Sequence, residues 1–321
     1  MPLTLKIDPW DPAYESALQL DDDATAPVEV DPFVETKDWS APPAPVAWPR
    51  PEAIAFIDGV QRVDSRVIGD DSGQRVYGAF SSLAVGAVIT TPSGATLSPG
   101  LPERVLALTG GASFGPVDIA CGRLTLRFQA HSTAVTSVAG VHEALSSARQ
   151  AAETRFGERL ADEGYPLVVV DGPIGFWPPR HTSVVGLVKT IHKQYLAGDQ
   201  AELLSRLGPG ERTPIFRIGR DRPAFSWYLR LSPRRPIEHP WAGIVRLEAM
   251  EFVGLEATVR LAGLTARHLP DFASSPIRDP RAPQNLYPIG ALEQRLRRQL
   301  GDPEFIRRSI EAHFYRHGVA A

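Results

Sequence analysis

Short apolar runs flank one long helical pattern in the first half of the chain. Residues 52–58 and 166–171 are apolar apart from their ends, and a glycine follows each run. Such runs predict strands that are buried on both faces. Between them, apolar residues recur at helical spacing over 139–163, and Gly164 and Pro166 end the predicted helix.

The stretch between the first strand and this helix is rich in strand signals. Asp58-Gly59 is typical of a turn, and Val60, Val63 and Val67 continue an extended pattern after it. A second turn is predicted at 70–73, followed by a long β segment over 76–91. Together these features predict a three-strand antiparallel meander. Further β segments are predicted at 104–109 and 116–131.

The second half of the chain also contains both helical and strand patterns. Helices are predicted at 183–197, 253–267, 288–300 and 303–317, and strands at 213–219, 225–231 and 243–250. The whole order predicts an α/β fold with a ribonuclease-H-like mixed sheet flanked by helices. In that arrangement a three-strand antiparallel meander joins parallel central strands, and the first strand neighbours the strand that follows the first helix.

The domain organisation follows from a change in composition near residue 50. Residues 1–50 are acidic and proline-rich, which predicts an N-terminal arm with little core of its own. Residues 51–321 are predicted to form a single ribonuclease-H-like domain with inserted β segments. The arm is either a docking or autoinhibitory element, or a tail that wraps on its own domain.

Composition excludes several classes of protein. The 321 residues are 43% apolar and 22% charged, and no apolar run approaches the roughly 20 residues that cross a membrane. The single cysteine excludes an intramolecular disulfide and a cysteine zinc cluster. The start lacks a signal-peptide pattern, so we expect a cytoplasmic protein without membrane partners.

Charge gives a more local signal. A net charge of -3 provides no overall attraction for nucleic acid. Arginines cluster at 234–235, 295–298 and 307–308. These clusters are either ordinary solvated surface or a surface that binds phosphates.

Two aspartates carry the main chemical hypothesis. Asp58 and Asp171 each follow an apolar strand, and neighbouring strands of the expected sheet would bring them side by side. Carboxylate oxygens are the ligands that Mg²⁺ and Mn²⁺ prefer, and such ions catalyse phosphodiester hydrolysis. Asp58-Gly59 on its own is equally typical of a hairpin turn, whereas Asp171 precedes a loop.

Two further residues could complete such a site. On the predicted helix before Asp171, Glu153 lies at the edge of the apolar face, while Glu143 and Glu158 point elsewhere. Glu153 is therefore the third candidate ligand, or else a surface glutamate. Lys189 follows a run of small and apolar residues, and its ammonium could neutralise the scissile phosphate unless it is simply a surface lysine.

Other signatures are missing or ambiguous. The sequence contains neither a P-loop nor a Gly-x-Ser-x-Gly motif, so it does not resemble an ATPase or an α/β hydrolase. Arg246 and Glu248 share one face of a predicted strand, where they could form an ion pair.

Four short segments, in this order and spacing, resemble the NurA-type nucleases over roughly residues 50–300. They are Phe56-Ile57-Asp58-Gly59, the segment Val169 to Ile174, the segment Val185 to Lys189, and Val245-Arg246-Leu247-Glu248. The resemblance implies a ribonuclease-H-like fold and manganese-dependent (or magnesium-dependent) hydrolysis of DNA. It also implies a homodimer that docks on a HerA-type hexameric ATPase in DNA-end processing.

By the same resemblance Asp58 and Asp171 bind the metal, Glu153 is the helix glutamate, and Lys189 is the basic residue. The chain departs from the family at one point, because the segment around Tyr287-Pro288 has no histidine. Asn285 or Glu293 could substitute for it. Two alternatives to a DNA nuclease stay open: a catalytically impaired partner of the ATPase, and a metal-dependent phosphoesterase for a small substrate.

Overall fold

A computed structural model describes most of the chain. It covers residues 28–44, 48–71, 73–174, 181–191, 193–219, 222–275, 277–279 and 281–317. Most of the predicted N-terminal arm, residues 1–27, therefore lies outside the described residues. None of the helices in the described ranges is long and apolar enough to cross a membrane.

The described chain contains twelve strands and five α-helices. The strands are β1 Glu29–Asp31, β2 Ile54–Asp71, β3 Gln74–Thr91, β4 Gly94–Pro99, β5 Glu103–Leu108, β6 Val117–Cys121, β7 Leu124–Ser132, β8 Val168–Asp171, β9 Val184–Val188, β10 Phe216–Gly219, β11 Ala224–Arg230 and β12 Ile244–Met250. The helices are α1 Ala139–Asp162, α2 Gly198–Arg206, α3 Leu255–His268, α4 Tyr287–Gln299 and α5 Pro303–His317. Short 3₁₀ turns, Glu251–Val253 and Leu269–Phe272, flank α3.

The chain packs as two compact units. Among the described residues, the first contains those within 1–57, 88–96 and 157–291, and the second contains those within 58–87, 97–156 and 292–321. The boundaries fall inside β2 and β3, so each of these strands contributes residues to both units.

The first unit is built on a mixed sheet. Its strand order is β1-β10-β11-β12-β9-β8-β2-β3, with β2 and β3 represented by the ends of those strands that belong to this unit. Strands β2, β8 and β9 are parallel, whereas β9, β12, β11, β10 and β1 pair antiparallel. Val168, Val169 and Val170 of β8 are all buried, as expected of a central strand whose sheet is covered on both faces.

The segment before β2 is integrated into this first unit. Strand β1 pairs antiparallel with β10, and Trp39 is buried in an apolar cluster that includes Phe216 and Tyr228. Glu35 accepts two hydrogen bonds from the guanidinium of Arg212, at 2.7 and 2.8 Å, and a third from the N–H of Ile215 at 2.6 Å. These contacts bind residues 28–44 to their own unit.

The second unit has a smaller sheet with its own core. Strand β3 pairs antiparallel with β5, β5 pairs parallel with β7, and β7 pairs antiparallel with β6. One face of this sheet buries Phe80, Leu106 and Phe128 against Ile306 and Ile310 of α5. The amphipathic pattern that predicted a helix over 303–317 reflects this packing.

The predicted α/β class, with a mixed sheet of parallel and antiparallel strands flanked by helices, is confirmed. Strand β8 runs parallel to β2, and β9 runs parallel to β8. The helix over 139–163 and the strand at 166–171 occur as α1 and β8. The later strands and the two C-terminal helices also lie where the pattern predicted them.

The predicted turn at Asp58-Gly59 is wrong. Strand β2 continues through both residues as far as Asp71, so Asp58 lies inside a strand and not at its end. Gly59 does not form a turn, and its lack of a side chain lets the Glu153 carboxylate approach the backbone of β2 closely. A Cβ atom at Gly59 would lie 2.5 Å from Oε1 of Glu153, a distance that no side chain tolerates without displacing that carboxylate.

The predicted helix over 183–197 is also wrong. Residues Val184–Val188 form β9, a central strand, and α2 begins only at Gly198. A short apolar run has no periodicity that distinguishes a buried strand from a buried helix. The valines of this run are β-branched, and their stiff side chains fit a sheet better than a helix.

The turn that follows Asp171 crosses β9 very closely. A Cβ atom at Gly186 would lie 2.6 Å from the backbone nitrogen of Ile174 and 2.8 Å from the carbonyl oxygen of Gly172. Glu248, which pairs with Gly186 in the register, accepts a hydrogen bond from the Ile174 N–H at 3.1 Å. Gly186 and Glu248 together hold the chain immediately after Asp171.

The buried Glu35–Arg212 pair should dominate the stability contributed by the N-terminal segment. Replacing Glu35→Ala leaves a buried guanidinium without its carboxylate, so we expect the free energy of unfolding to fall by about 3 kcal/mol in urea denaturation. Glu163→Ala, which removes an exposed pair with Arg159, is the control and should cost less than about 0.5 kcal/mol. A loss at Glu35 no larger than at Glu163 would contradict this account.

The close crossing at Gly186 predicts that a larger residue at this position also destabilises the protein. Gly186→Ala should lower the free energy of unfolding by about 2 kcal/mol, because the methyl group meets backbone atoms that cannot move aside cheaply. Gly69→Ala is the matched strand control, since a Cβ atom there meets nothing within 4 Å. Equal thermal midpoints for the two variants would refute the crowding argument.

Candidate active site

Asp171 and Lys189 meet where their parallel strands end. Asp171 is the last residue of β8, and Lys189 follows the last residue of β9. The Lys189 ammonium donates to Oδ2 of Asp171 at 2.6 Å and to Oδ1 of Asn285 at 3.0 Å. The lysine side chain is only 10% exposed, so Lys189 is not an ordinary surface lysine.

The second carboxylate oxygen of Asp171 is in a different situation. Oδ1 is buried and makes no hydrogen bond to any described residue. A buried carboxylate oxygen without a donor is costly. An additional cation is the kind of group that would satisfy it.

Asn285 was a tentative candidate from the sequence, and the structure places it against Lys189. It is fully buried, and its Nδ2 donates to Oδ2 of Asp279 at 2.5 Å. Asp279 is a residue that the sequence did not single out. It lies in an irregular, proline-containing segment where no periodicity indicates which side chains turn inward.

Asp58 and Glu153 lie together in the second unit. Asp58 is buried, and its Oδ1 accepts the N–H of Gly59 at 2.8 Å. Glu153 of α1 is buried as well, with its carboxylate over the Gly59 backbone and a 2.6 Å ion pair to Arg149 one turn earlier. The helical wheel correctly selected Glu153 as the inward-facing glutamate, since Glu143 is exposed.

Glu293, the other tentative substitute for the missing histidine, lies on α4 in the second unit. Its carboxylate accepts a hydrogen bond from Arg297 at 2.7 Å, an ion pair between successive turns of the same helix. Its side chain is 17% exposed. A role for Glu293 at a metal therefore stays a prediction.

The register of β2 and β8 defines the places of Asp58 and Asp171 on their strands. Ala55, Phe56 and Ile57 of β2 pair in parallel with Val168, Val169 and Val170 of β8. Asp58 is the next residue of β2, and Asp171 is the next residue of β8.

The described residues contain no ready group of three His, Cys, Asp or Glu side chains arranged to hold a metal ion. Each unit instead holds a carboxylate against a basic side chain. Lys189 occupies one oxygen of Asp171, and Arg149 occupies one oxygen of Glu153. Opposite charges at such short distances compete with any incoming cation, so binding a metal would require these pairs to loosen.

Arg246 and Glu248 form the ion pair that the strand pattern allowed. The guanidinium donates to Glu248, whose side chain is fully buried, and also stacks 4.8 Å from the Tyr195 ring. Burial raises the pKa of nearby Tyr228 to about 12, so its hydroxyl stays protonated near neutral pH. These residues pack within the sheet next to β9.

The candidate groups are therefore the buried carboxylates of Asp58 and Glu153, the largely buried carboxylate of Asp171, and Lys189. Carboxylates of Asp58, Glu153 and Asp171 offer hard oxygen ligands, which suit Mn²⁺ and Mg²⁺ better than softer metals. The lysine offers a positive charge at the edge of a sheet. Such groups can bind a phosphate ester through a divalent cation and an ammonium.

Comparison with known proteins supports a family assignment. A family model described as the NurA domain matches residues 52–297. Among solved structures, the fold is similar to the NurA nuclease from Sulfolobus solfataricus, at 9% identity and a TM-score of 0.43, covering 85% of this chain and 87% of that chain. It is also similar to endonuclease V from Bacillus subtilis, at 10% identity and a TM-score of 0.29, covering 83% and 82%.

Comparison with curated proteins gives no match. The family model, however, spans well over half of the chain and includes all four segments that suggested the resemblance. That resemblance is confirmed, and the chain belongs to the NurA domain family.

Proposed function

We propose that this protein is a metal-dependent deoxyribonuclease, in which Asp58, Glu153 and Asp171 bind Mn²⁺ or Mg²⁺. The observation that carries the proposal is the register of β2 and β8, because an aspartate follows each member of the pair Ile57 and Val170. Membership of the NurA domain family agrees with it.

The residues fit the cation that the proposal requires. Oδ1 of Asp171 is buried and accepts no hydrogen bond from the described residues. Asp58 and Glu153 are buried carboxylates around the small residue Gly59, which leaves the Glu153 carboxylate close to the backbone. A divalent ion would supply the positive partner that Oδ1 of Asp171 lacks among the described residues, and carboxylate oxygens are the ligands that such an ion prefers.

In the proposed reaction, water attacks phosphorus and one phosphodiester P–O bond breaks. A bound divalent ion would supply Lewis-acid stabilisation and an activated water. Lys189 donates hydrogen bonds from its ammonium, so it can offset the charge that develops on the phosphate oxygens. Asp171 holds that ammonium at 2.6 Å and thereby sets where the positive charge lies.

The partners of this activity are also part of the proposal. Membership of the family supports DNA as the substrate. A homodimer as the working form and a HerA-type hexameric ATPase as the docking partner in DNA-end processing are proposed from the sequence resemblance alone. The net charge of -3 means that attraction for DNA must come from local groups and bound cations.

A second candidate function follows from the ion pairs at the site. Lys189 and Arg149 already neutralise Asp171 and Glu153, as expected of a member that has lost metal binding and serves only as a partner of the ATPase. A cleavage assay with Mn²⁺, with and without the ATPase, separates the two. No cleavage in either case, together with a tight complex, would favour the structural partner.

Removing either aspartate should abolish cleavage without unfolding the protein. Asp58→Ala and Asp171→Asn should each lower the rate of DNA hydrolysis by about 100-fold or more, since each removes a ligand of the ion that stabilises the transition state. Asp118→Ala, which removes an exposed carboxylate from a surface ion pair, should leave the rate unchanged. A folded Asp58→Ala protein that cleaves DNA at the wild-type rate would sink the proposal.

Metal binding can be tested by cleavage and, independently, by thermal stability. Chelation should stop hydrolysis and Mn²⁺ should restore it. Mn²⁺ should also raise the thermal midpoint of the wild-type protein, because a ligand that binds only the folded state stabilises it. The midpoint of Asp171→Asn should rise much less. Equal shifts in both proteins would show that the ion binds elsewhere.

A further inference from the structure

We propose that Asp279 is a positioning residue, which orients the Asn285 amide so that its oxygen holds the Lys189 ammonium beside Asp171. The inference rests on the proposed function for the role of Lys189. The contacts among the side chains of Asp171, Lys189, Asn285 and Asp279 are observed independently of that function. All four residues lie in the first unit. No feature of the sequence pointed to Asp279.

The orientation of the amide is the central point. Asn285 is fully buried, with Oδ1 accepting from Lys189 at 3.0 Å and Nδ2 donating to Asp279 at 2.5 Å. A flipped amide would turn its NH₂ group toward the ammonium, and two donors would then face each other. The carboxylate of Asp279 makes the unflipped orientation the favourable one, because only an N–H donor can satisfy it.

Asp279 is itself fixed on its other side. Its Oδ1 accepts the backbone N–H of Arg281 at 2.8 Å, while Oδ2 serves Asn285. Its side chain is 12% exposed. The carboxylate is thus held by its own loop and can hold the amide in turn.

Gly290 provides the room for this pair. A Cβ atom at this position of α4 would lie 3.3 Å from Oδ2 of Asp279 and 3.4 Å from Nδ2 of Asn285. The first distance is tighter than an ordinary contact, and the second lies at the lower limit of one. A helix interior normally disfavours glycine, so its presence in the first turn of α4 is consistent with space reserved for the two side chains.

The consequence concerns the charge of Lys189. A nearly buried ammonium needs acceptors, and here a carboxylate and an amide oxygen supply them from two directions. Loss of the amide oxygen would leave Asp171 as the main acceptor and free the ammonium to move about it. Asp279 therefore acts on Lys189 only through Asn285.

Chemical labelling tests this arrangement directly. Lysine acetylation, followed by mass spectrometry, gives the rate at Lys189 relative to the exposed Lys37. Asp279→Ala should raise this ratio about fivefold, the effect of losing one buried hydrogen bond. Asp118→Ala is the matched control for loss of a carboxylate and should leave the ratio unchanged. An unchanged ratio in folded Asp279→Ala would overturn the proposal.

A double-mutant cycle tests whether the effect passes through Asn285. Asn285→Ala should raise the ratio at least as much as Asp279→Ala, and the double variant should equal Asn285→Ala alone. If the increase in the double variant instead equals the product of the two single increases, Asp279 acts on Lys189 by another route. That result would overturn the proposal. If Asp279→Ala fails to fold, Asp279→Asn has the same shape and keeps only part of the hydrogen bonding, so an increase smaller than that of Asn285→Ala is expected.

Cleavage kinetics add a readout that a purely structural role would not give. Asp279→Ala should lower kcat for DNA hydrolysis about tenfold, while KM changes by less than about twofold. A raised KM with unchanged kcat would contradict a role in positioning Lys189. If the wild-type protein cleaves no DNA, the nuclease proposal fails, and the labelling ratio still decides whether Asp279 positions the lysine.

Discussion

The in-register pairing of β2 with β8 is the constraint on which the candidate site depends. Backbone hydrogen bonds align Ile57 with Val170, and their buried side chains resist any slip in register. A slip of one residue would turn every buried side chain of β8 to the opposite face. The positions of Asp58 and Asp171 along their strands follow from this pairing and not from local preference.

Arg230 illustrates a second constraint, which concerns buried charges in the first unit. Arg230 is only 2% exposed, and its guanidinium donates to the carbonyl oxygens of Leu207, Ala242, Leu204 and Pro240. Burial lowers the pKa of this group to about 10, and these acceptors keep the charged form tolerable. Oδ1 of Asp171 is an exception, because it is buried and accepts no hydrogen bond from the described residues. This exception supports the proposed binding of a cation at Asp171.

Sequence reasoning predicted the class of the fold, most strands and helices, and the inward orientation of Glu153. It failed where one sequence signal has two physical causes. Gly59 is a turn residue by composition, but here it makes room for Glu153. The run Val184–Val188 is too short for periodicity to separate strand from helix. Asp279 was missed because its partners lie far away in sequence, and only the folded chain brings Lys189 and Asn285 together.

Strand β1 has a consequence for solubility. It covers the outer edge of β10, whose backbone groups would otherwise be open to pair with another chain. Within the part of the chain that the structure describes, the edge strand is then β1, which is only three residues long and carries the exposed acids Glu29 and Asp31. Short, charged edges resist intermolecular β pairing. The residues just before the family domain thus shield the sheet from aggregation, and a chain trimmed to residue 50 would lose that shield.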